Sequence, residues 1–272
     1  MSQRSRVGQL ILAVSCLLMA IIISMMLWDS FESKVNDQRN EGFRLLSSAQ
    51  IVASQTRDAL SSIHVTLVTA STWVGQHPDV DARKSGDFAR LMENIKAVVK
   101  GKFNLRFMDG AGRLYDISSS DMAPLADVSD RDYFQVQKDV ARKSLYLGSP
   151  VKSRVTGVWT LPVSYPLPEN KAGLTAISAI VDLQTLSLQY SPSVPREGGM
   201  VAIVRTDGTI MVTNPFLPGI AGMHTRDLVR AYRVDARPGT RVLRGPAPIP
   251  VEHGRMTASV ADLSYPLMYM VS

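Results

Sequence analysis

The sequence predicts an α+β protein in which a long helix precedes two antiparallel sheets. All 15 prolines lie at or after Pro78, so the first part of the chain can form uninterrupted helix and the remainder is rich in turns. Beyond Pro78 the apolar residues recur at every second position, the period of strands. Two similar hairpin patterns, marked by Asp109 and Asp207, lie about a hundred residues apart and divide the strand-rich part in two.

The first element is an apolar stretch of 22 residues without a charge, residues 7–28. A bilayer core about 30 Å thick requires roughly 20 apolar residues in a helix. A cleaved signal peptide is the alternative, but its apolar region is usually about 7–15 residues long. Residues 25–28 also offer no small-residue cleavage site. The stretch therefore predicts an uncleaved transmembrane helix.

The charges around this stretch predict its orientation. Arg4 and Arg6 precede it, and positively charged flanks tend to stay in the cytoplasm. We expect a single-pass membrane protein, with residues 1–6 cytoplasmic and the bulk of the chain on the other side of the membrane.

A long supporting helix is predicted over residues 29–77. Apolar and small residues there alternate at spacings of four and three, as in one face of a helix. They are Leu45, Ala49, Val52, Thr56, Ala59, Ile63, Thr66, Ala70 and Trp73. The small and polar members make a stand-alone dimer seam weak, so packing within the same domain is favoured, and a homodimer through this helix is a further expectation.

The two sheets are each predicted to open with a hairpin. Phe103, Leu105 and Phe107 alternate before a turn at Asp109, and the strand before Asp207-Gly208 has the same design. Further strands are predicted at residues 144–151, 158–167 and 174–181 for the first sheet, and 240–244, 255–261 and 266–271 for the second. Short helices are predicted at residues 87–99, 183–190 and 222–232.

Composition excludes several functions. The net charge of +6 is spread along the chain without a Lys/Arg block, so nucleic-acid binding is not expected. Cys16 is the only cysteine, and the four histidines are scattered without metal-ligand spacing. The chain has no nucleophile elbow and no phosphate-binding loop motif. We expect neither a metal, nor a cofactor, nor enzymatic activity.

Four short blocks carry a family resemblance. Residues 127–134 read DVSDRDYF, residues 146–154 read YLGSPVKSR, residues 157–159 read GVW and residues 180–183 read IVDL. Their order, with the anchor and the repeated hairpin, resembles the double Cache domain, an extracytoplasmic sensor made of two PAS-like modules on a long helix. The resemblance implies a membrane-distal module over residues 78–197 and a membrane-proximal module over residues 198–272. Such domains stand in front of bacterial diguanylate cyclases, histidine kinases and chemoreceptors, so the resemblance implies a bacterial inner membrane, with the bulk of the chain periplasmic.

The resemblance also implies a ligand site in the distal module, around Arg131, Tyr133 and Phe134. A guanidinium forks onto a carboxylate, and flanking rings exclude water. Arg131 is equally suited to an ion pair with Asp130 or Asp132. The two aromatic rings are equally suited to packing in the hydrophobic core.

Four further residues are implied at the same site. Tyr146, Arg154 and Trp159 lie on the strands that follow, although a tryptophan on an alternating strand is more often core. Asp182 corresponds to the position at which amino-acid-binding Cache domains hold the ligand's amino group. The N-cap of the following helix is an equal alternative for Asp182.

Departures from the family leave the ligand class open. Ala126 replaces the tyrosine that amino-acid binders carry five positions before the arginine, and Tyr133-Phe134 replaces their Trp-Tyr pair. Tyr165 stands where many relatives have another arginine. An amino acid and a small carboxylate are therefore equal alternatives, and we expect a small molecule that bears a carboxylate.

The functional expectation is the ligand-sensing region of a membrane receptor whose output domain, of cyclase or kinase type, is absent from this chain. The segment 265–272 resembles the last strand of the proximal module, after which relatives enter a second membrane helix. The alternative is a stand-alone membrane-anchored periplasmic binding protein that acts through a separate signalling partner.

Overall fold

The computed structural model describes residues 3–99, 103–117, 123–138, 144–194, 199–224, 240–244, 256–261 and 264–271. The chain separates into two compact units, Met1–Arg44 and Leu45–Ser272. Helix α1 (Gln3–Gln76) contributes residues to both units, and all the strands belong to the second.

In the first unit, the described side chains of the predicted membrane span are largely apolar and exposed. The large ones are Leu17, Leu18, Met19, Ile21, Ile22, Ile23, Met25, Met26 and Trp28. Within the described part of the chain, no helix combines the length and the apolar character needed to cross a membrane. Half of the predicted span, residues 7–16 and 27, lies outside the described side chains. The anchor stays a prediction.

In the second unit, α1 packs its predicted seam into the core. Seven of the nine seam residues are buried, and Ala59 and Trp73 are half-buried. The polar Thr56 is accommodated because its hydroxyl donates to the Val52 carbonyl at 2.8 Å and lies 2.8 Å from the Tyr190 hydroxyl. The predicted packing within the domain is confirmed.

In the first half of the second unit, the described residues form seven strands and, besides α1, three α-helices. The strands are β1 (Phe103–Asp109), β2 (Arg113–Asp116), β3 (Ala126–Asp127), β4 (Tyr146–Leu147), β5 (Val151–Lys152), β6 (Trp159–Pro166) and β7 (Leu174–Asp182). The helices are α2 (Gly86–Val99), α3 (Asp132–Lys138) and α4 (Leu183–Gln189). The strands form one antiparallel sheet in the order β3-β2-β1-β7-β6-β4, and β5 also pairs with β6.

The two faces of this sheet differ because side chains alternate along each strand. On β1, Phe103, Leu105 and Phe107 are buried in the core that includes α1. Met108 lies on the opposite face, in a smaller cluster with Tyr133 and Phe134. The side of the sheet away from α1 is therefore only partly filled by α3.

The hairpin between β1 and β2 is held by Asp109, whose side chain is 9% exposed. Its carboxylate accepts hydrogen bonds from the backbone of Ala111 and Arg113 and from the side chains of Arg113 and Tyr115. Burial alone would raise the pKa of Asp109, but these hydrogen bonds outweigh it and the pKa is lowered. Gly112 closes the turn with a φ of +85°, a conformation that suits glycine.

The described residues of the second half of the unit form a separate sheet of five strands. They are β8 (Val201–Arg205), β9 (Ile210–Asn214), β10 (Thr240–Arg244), β11 (Met256–Ala261) and β12 (Leu267–Val271). Their order is β10-β11-β12-β8-β9, all antiparallel. The two predicted hairpins thus lie in separate sheets, as expected. The predicted helix 222–232 lies outside the described residues from position 225 onward.

The segment from Tyr146 to Pro150 links the two sheets. From β8, Arg205 donates to the Leu147 carbonyl at 3.1 Å and to the Ser149 hydroxyl at 3.3 Å. On the other side, the Ser149 amide donates to Asp132 at the start of α3, at 2.9 Å. The same short segment therefore contacts both α3 and the second sheet.

Candidate ligand-binding site

A cavity of about 210 Å³ lies over the face of the first sheet that is turned away from α1. Its floor comes from β1, β2, β6 and β7, and its roof from the segments 126–133 and 151–158. Floor residues are Asn104, Arg106, Leu114, Thr160, Pro162, Ile180 and Asp182. Apolar walls and a few convergent polar groups are the usual composition of a small-molecule pocket.

Four of the seven residues implied by the resemblance line this cavity: Arg131, Tyr133, Arg154 and Asp182. The structure does not bring the other three to it. Phe134 is fully buried in the cluster between α3 and the sheet. The Lys138 ammonium lies 4.8 Å from the centre of its ring. Tyr146 lines a different cavity of about 670 Å³, and Trp159 lines another of about 710 Å³.

Arg131 immediately precedes α3. Neither Asp130 nor Asp132 forms an ion pair with it. Within the described residues, its side chain makes one hydrogen bond, a long one of 3.5 Å from Nη2 to the Lys152 carbonyl. Asp132 instead accepts from the Ser149 amide and, at 3.3 Å, from the Tyr146 hydroxyl. Arg131 therefore keeps most of its five donors available to the cavity.

Arg154, in contrast, is already paired. Its two terminal nitrogens donate to the two oxygens of Asp130 at 2.7 and 2.8 Å, and Nη1 also donates to the Asp127 carbonyl at 2.6 Å. The hydrogen bonds from Arg154 lower the pKa of Asp130. This fork-to-fork pair fastens one roof segment to the other, and it leaves Arg154 less available to a ligand than Arg131.

Tyr133 is 4% exposed, and burial raises the pKa of its hydroxyl to about 12. It is therefore a neutral donor at physiological pH. No hydrogen bond joins this hydroxyl to another group in the described part of the chain. Its charged neighbours include Arg131 and Arg154, so a donor without a partner lies beside the two roof arginines.

Asp182 is the N-cap of α4, one of its two predicted roles, and its role towards a ligand stays a prediction. One oxygen accepts from the Thr185 amide at 2.7 Å and so caps α4. The same residue also lines the cavity, and its second oxygen has no hydrogen-bond donor among the described residues. Asp182 is the one carboxylate among the described lining residues.

Sequence reasoning missed Arg106, Asn104 and Lys152, which also line the cavity. A signal was present in β1, where Asn104 and Arg106 occupy the polar positions of an alternating strand. An alternating strand is usually solvated on its polar face, and only the roof makes that face a binding surface. The described residues contain no group of three His, Cys, Asp or Glu side chains placed to hold an ion.

Comparison with known proteins shows similarity at the level of structure. No family model matches the sequence, and no curated protein matches it. The extracellular domain of the candidate histidine kinase rpHK1S-Z16 is 18% identical, with a TM-score of 0.67 over 85% of this chain and 93% of that one. The periplasmic sensory domain of the Campylobacter jejuni chemoreceptor Tlp1 is 12% identical, with a TM-score of 0.63 over 86% and 94%.

A third similar structure was determined with a ligand. The ligand-binding domain of the Pseudomonas fluorescens chemoreceptor CtaA, in complex with L-valine, is 15% identical, with a TM-score of 0.57 over 86% of this chain and 97% of that one. The second structure is described as a sensory domain and the third as a ligand-binding domain, each of a chemoreceptor. The fold is that of extracellular and periplasmic sensory domains, consistent with the Cache type that the sequence resembles.

Proposed function

We propose that this chain is the sensory region of a membrane signal-transduction receptor and that it binds a small carboxylate-bearing molecule in the 210 Å³ cavity. The observation that carries the proposal is Arg131, a guanidinium at the cavity wall that forms no ion pair with any described carboxylate. A charge in this position is satisfied by an anionic ligand, and a guanidinium matches a carboxylate with two parallel hydrogen bonds.

The charge of the lining supports an anion rather than a cation. Arg106, Arg131, Lys152 and Arg154 contribute four positive charges, against the single carboxylate of Asp182. Arg154 and Arg106 are paired with Asp130 and Asp116, which lie outside the lining, so the four cations and the three carboxylates leave a net formal charge of +1.

The size of the cavity supports a small ligand. Pockets for drug-sized molecules usually have about 300–1,000 Å³, and this cavity is smaller. L-Valine, found in the CtaA domain, is a small molecule with a carboxylate. An amino group would have Asp182 as a counter-ion, so both an amino acid and a simple carboxylic acid are compatible with the lining.

The binding experiment is a thermal-shift screen of the full chain against amino acids, monocarboxylates and dicarboxylates, followed by calorimetric titration. A ligand at a hundred times its dissociation constant should stabilise the folded chain by about 2.7 kcal/mol. The matched control is the primary amide of each acid that binds, which has nearly the same shape without the charge. Equal binding of acid and amide would contradict the carboxylate proposal.

We further propose that the two sheets are the membrane-distal and membrane-proximal modules of this sensor, over residues 78–197 and 198–272. The link from α3 through Ser149 to Arg205 supports contact between them. The output domain, of diguanylate cyclase or histidine kinase type, stays a prediction. A homodimer through α1 also stays a prediction, and it would need another face than the buried seam, such as the face with exposed Ile51 and Val65.

Anchoring through residues 7–28, with the rest of the chain periplasmic, completes the proposal. Its support is the uncharged sequence after Arg4 and Arg6. A reporter that is active only in the cytoplasm, fused after Ser272, should be silent, while the same reporter fused before Met1 should be active. Activity of the first fusion would overturn the orientation and the periplasmic sensor.

A further inference from the structure

We propose that Arg106 is a second anion-binding residue of the cavity, so that the preferred ligand carries an anionic group at each end. The inference rests on the proposed function, because it assigns the ligand class of the same cavity. Arg106 lies on the central strand β1, far from the sequence blocks that suggested the site.

The hydrogen bonds of Arg106 leave most of its donors unused. Nη1 donates to the Leu105 carbonyl at 2.9 Å and to Asp116 at 2.8 Å. Nε and Nη2 have no acceptor among the residues that the structure describes. The side chain is only 17% exposed, so water satisfies these donors less easily than on an open surface.

If Arg106 had a purely structural role, we would expect fewer polar groups around it to lack hydrogen-bond partners. Asp116 binds one nitrogen of the guanidinium with one oxygen, whereas a structural Arg–Asp pair is often bidentate. The register partner of Arg106 on β7 is Ser178, which is fully buried and whose hydroxyl has no hydrogen-bond partner among the described residues. A buried hydroxyl without a partner thus lies beside the Arg106 guanidinium on this face of the sheet.

The two arginines approach the cavity from different sides. The guanidinium of Arg131 is near β5, by its contact with Lys152, and Arg106 leans towards Asp116 on β2. Arg131 lies in the roof segment and Arg106 on the floor strand β1. A dicarboxylate offers one group to each arginine, whereas a monocarboxylate leaves one of the two guanidinium groups without an anion.

The experiment compares straight-chain dicarboxylates, from succinate to pimelate, with monocarboxylates of the same carbon number, by titration of the full chain. At least one dicarboxylate should bind about ten-fold or more tightly than its monocarboxylate. Arg106→Gln should reduce that ratio to about one, because the dicarboxylate loses its second guanidinium contact. Arg106→Lys should restore only part of the ratio, since lysine supplies a point charge.

Arg83→Gln is the matched control. Arg83 is similarly buried, at 14% exposure, and is also paired with an aspartate, Asp81, but it does not line the cavity. This variant should keep the full dicarboxylate preference. Asp116→Asn should also keep it, which separates the loss of the Arg106 donors from the loss of the ion pair.

Two results would overturn the assignment alone. An equal loss of both ligand classes in Arg106→Gln, or no loss in either, would make Arg106 a structural partner of Asp116. Failure of every carboxylate to bind the unsubstituted chain would overturn the carboxylate site itself and the Arg106 assignment with it.

Discussion

Replacement of Arg131 by alanine should reduce carboxylate binding by about 100-fold or more, because two charge-assisted hydrogen bonds are lost together. The stability of the fold should change by less than about 1 kcal/mol, since the arginine gives up only one long hydrogen bond. Arg131→Lys should not restore binding, because lysine lacks the planar fork. Titration and chemical denaturation of the same samples measure both quantities.

Two control variants make this result specific. Arg90→Ala removes an arginine that is 77% exposed and remote from the cavity, and it should leave binding and stability unchanged. Tyr133→Ala should lower both, because the ring lines the cavity and also belongs to the buried cluster under α3. If Arg131→Ala melts the domain and the refolded protein binds normally, the arginine has a structural role and the proposed site is wrong.

Regular alternation made most of the fold predictable. Strands β6, β7, β10, β11 and β12 lie within one residue of the predicted bounds, and α2 begins one residue early. The sequence did not predict the two-residue strands β3, β4 and β5 as separate strands. Strands this short carry no period of their own and exist because a neighbour pairs with them.

The residues of the site could be predicted only where the direction of each side chain could be predicted. Tyr133 and Phe134 are adjacent on a helix, so their side chains leave in different directions, and only Tyr133 reaches the cavity. Thr160 and Pro162 line the cavity from β6, and Trp159, of opposite parity, does not. The Arg154–Asp130 pair spans 24 positions, so local sequence gave no indication that this arginine was already occupied.

Replacement of Gly112 by alanine should both destabilise the fold and weaken ligand binding. A Cβ at this position would lie 2.6 Å from the Ser129 Cα, and the φ of +85° disfavours any other residue. Backbone strain and the clash together predict a loss of about 2–4 kcal/mol. Because the Gly112 carbonyl also holds the Val128 amide at 2.8 Å, the displaced loop should move Arg131 away from its position.

Gly173→Ala is the matched control for backbone strain. Its φ is +67°, but the space around its Cβ position is open, so it should cost only about 1 kcal/mol and leave the dissociation constant unchanged. The difference in the free energy of unfolding between the two variants therefore measures the cost of the steric clash with Ser129. If Gly112→Ala loses stability but binds as tightly as the Gly173 variant, the loop does not position Arg131. The anion would then have to be held mainly from the floor of the sheet, where Arg106 lies.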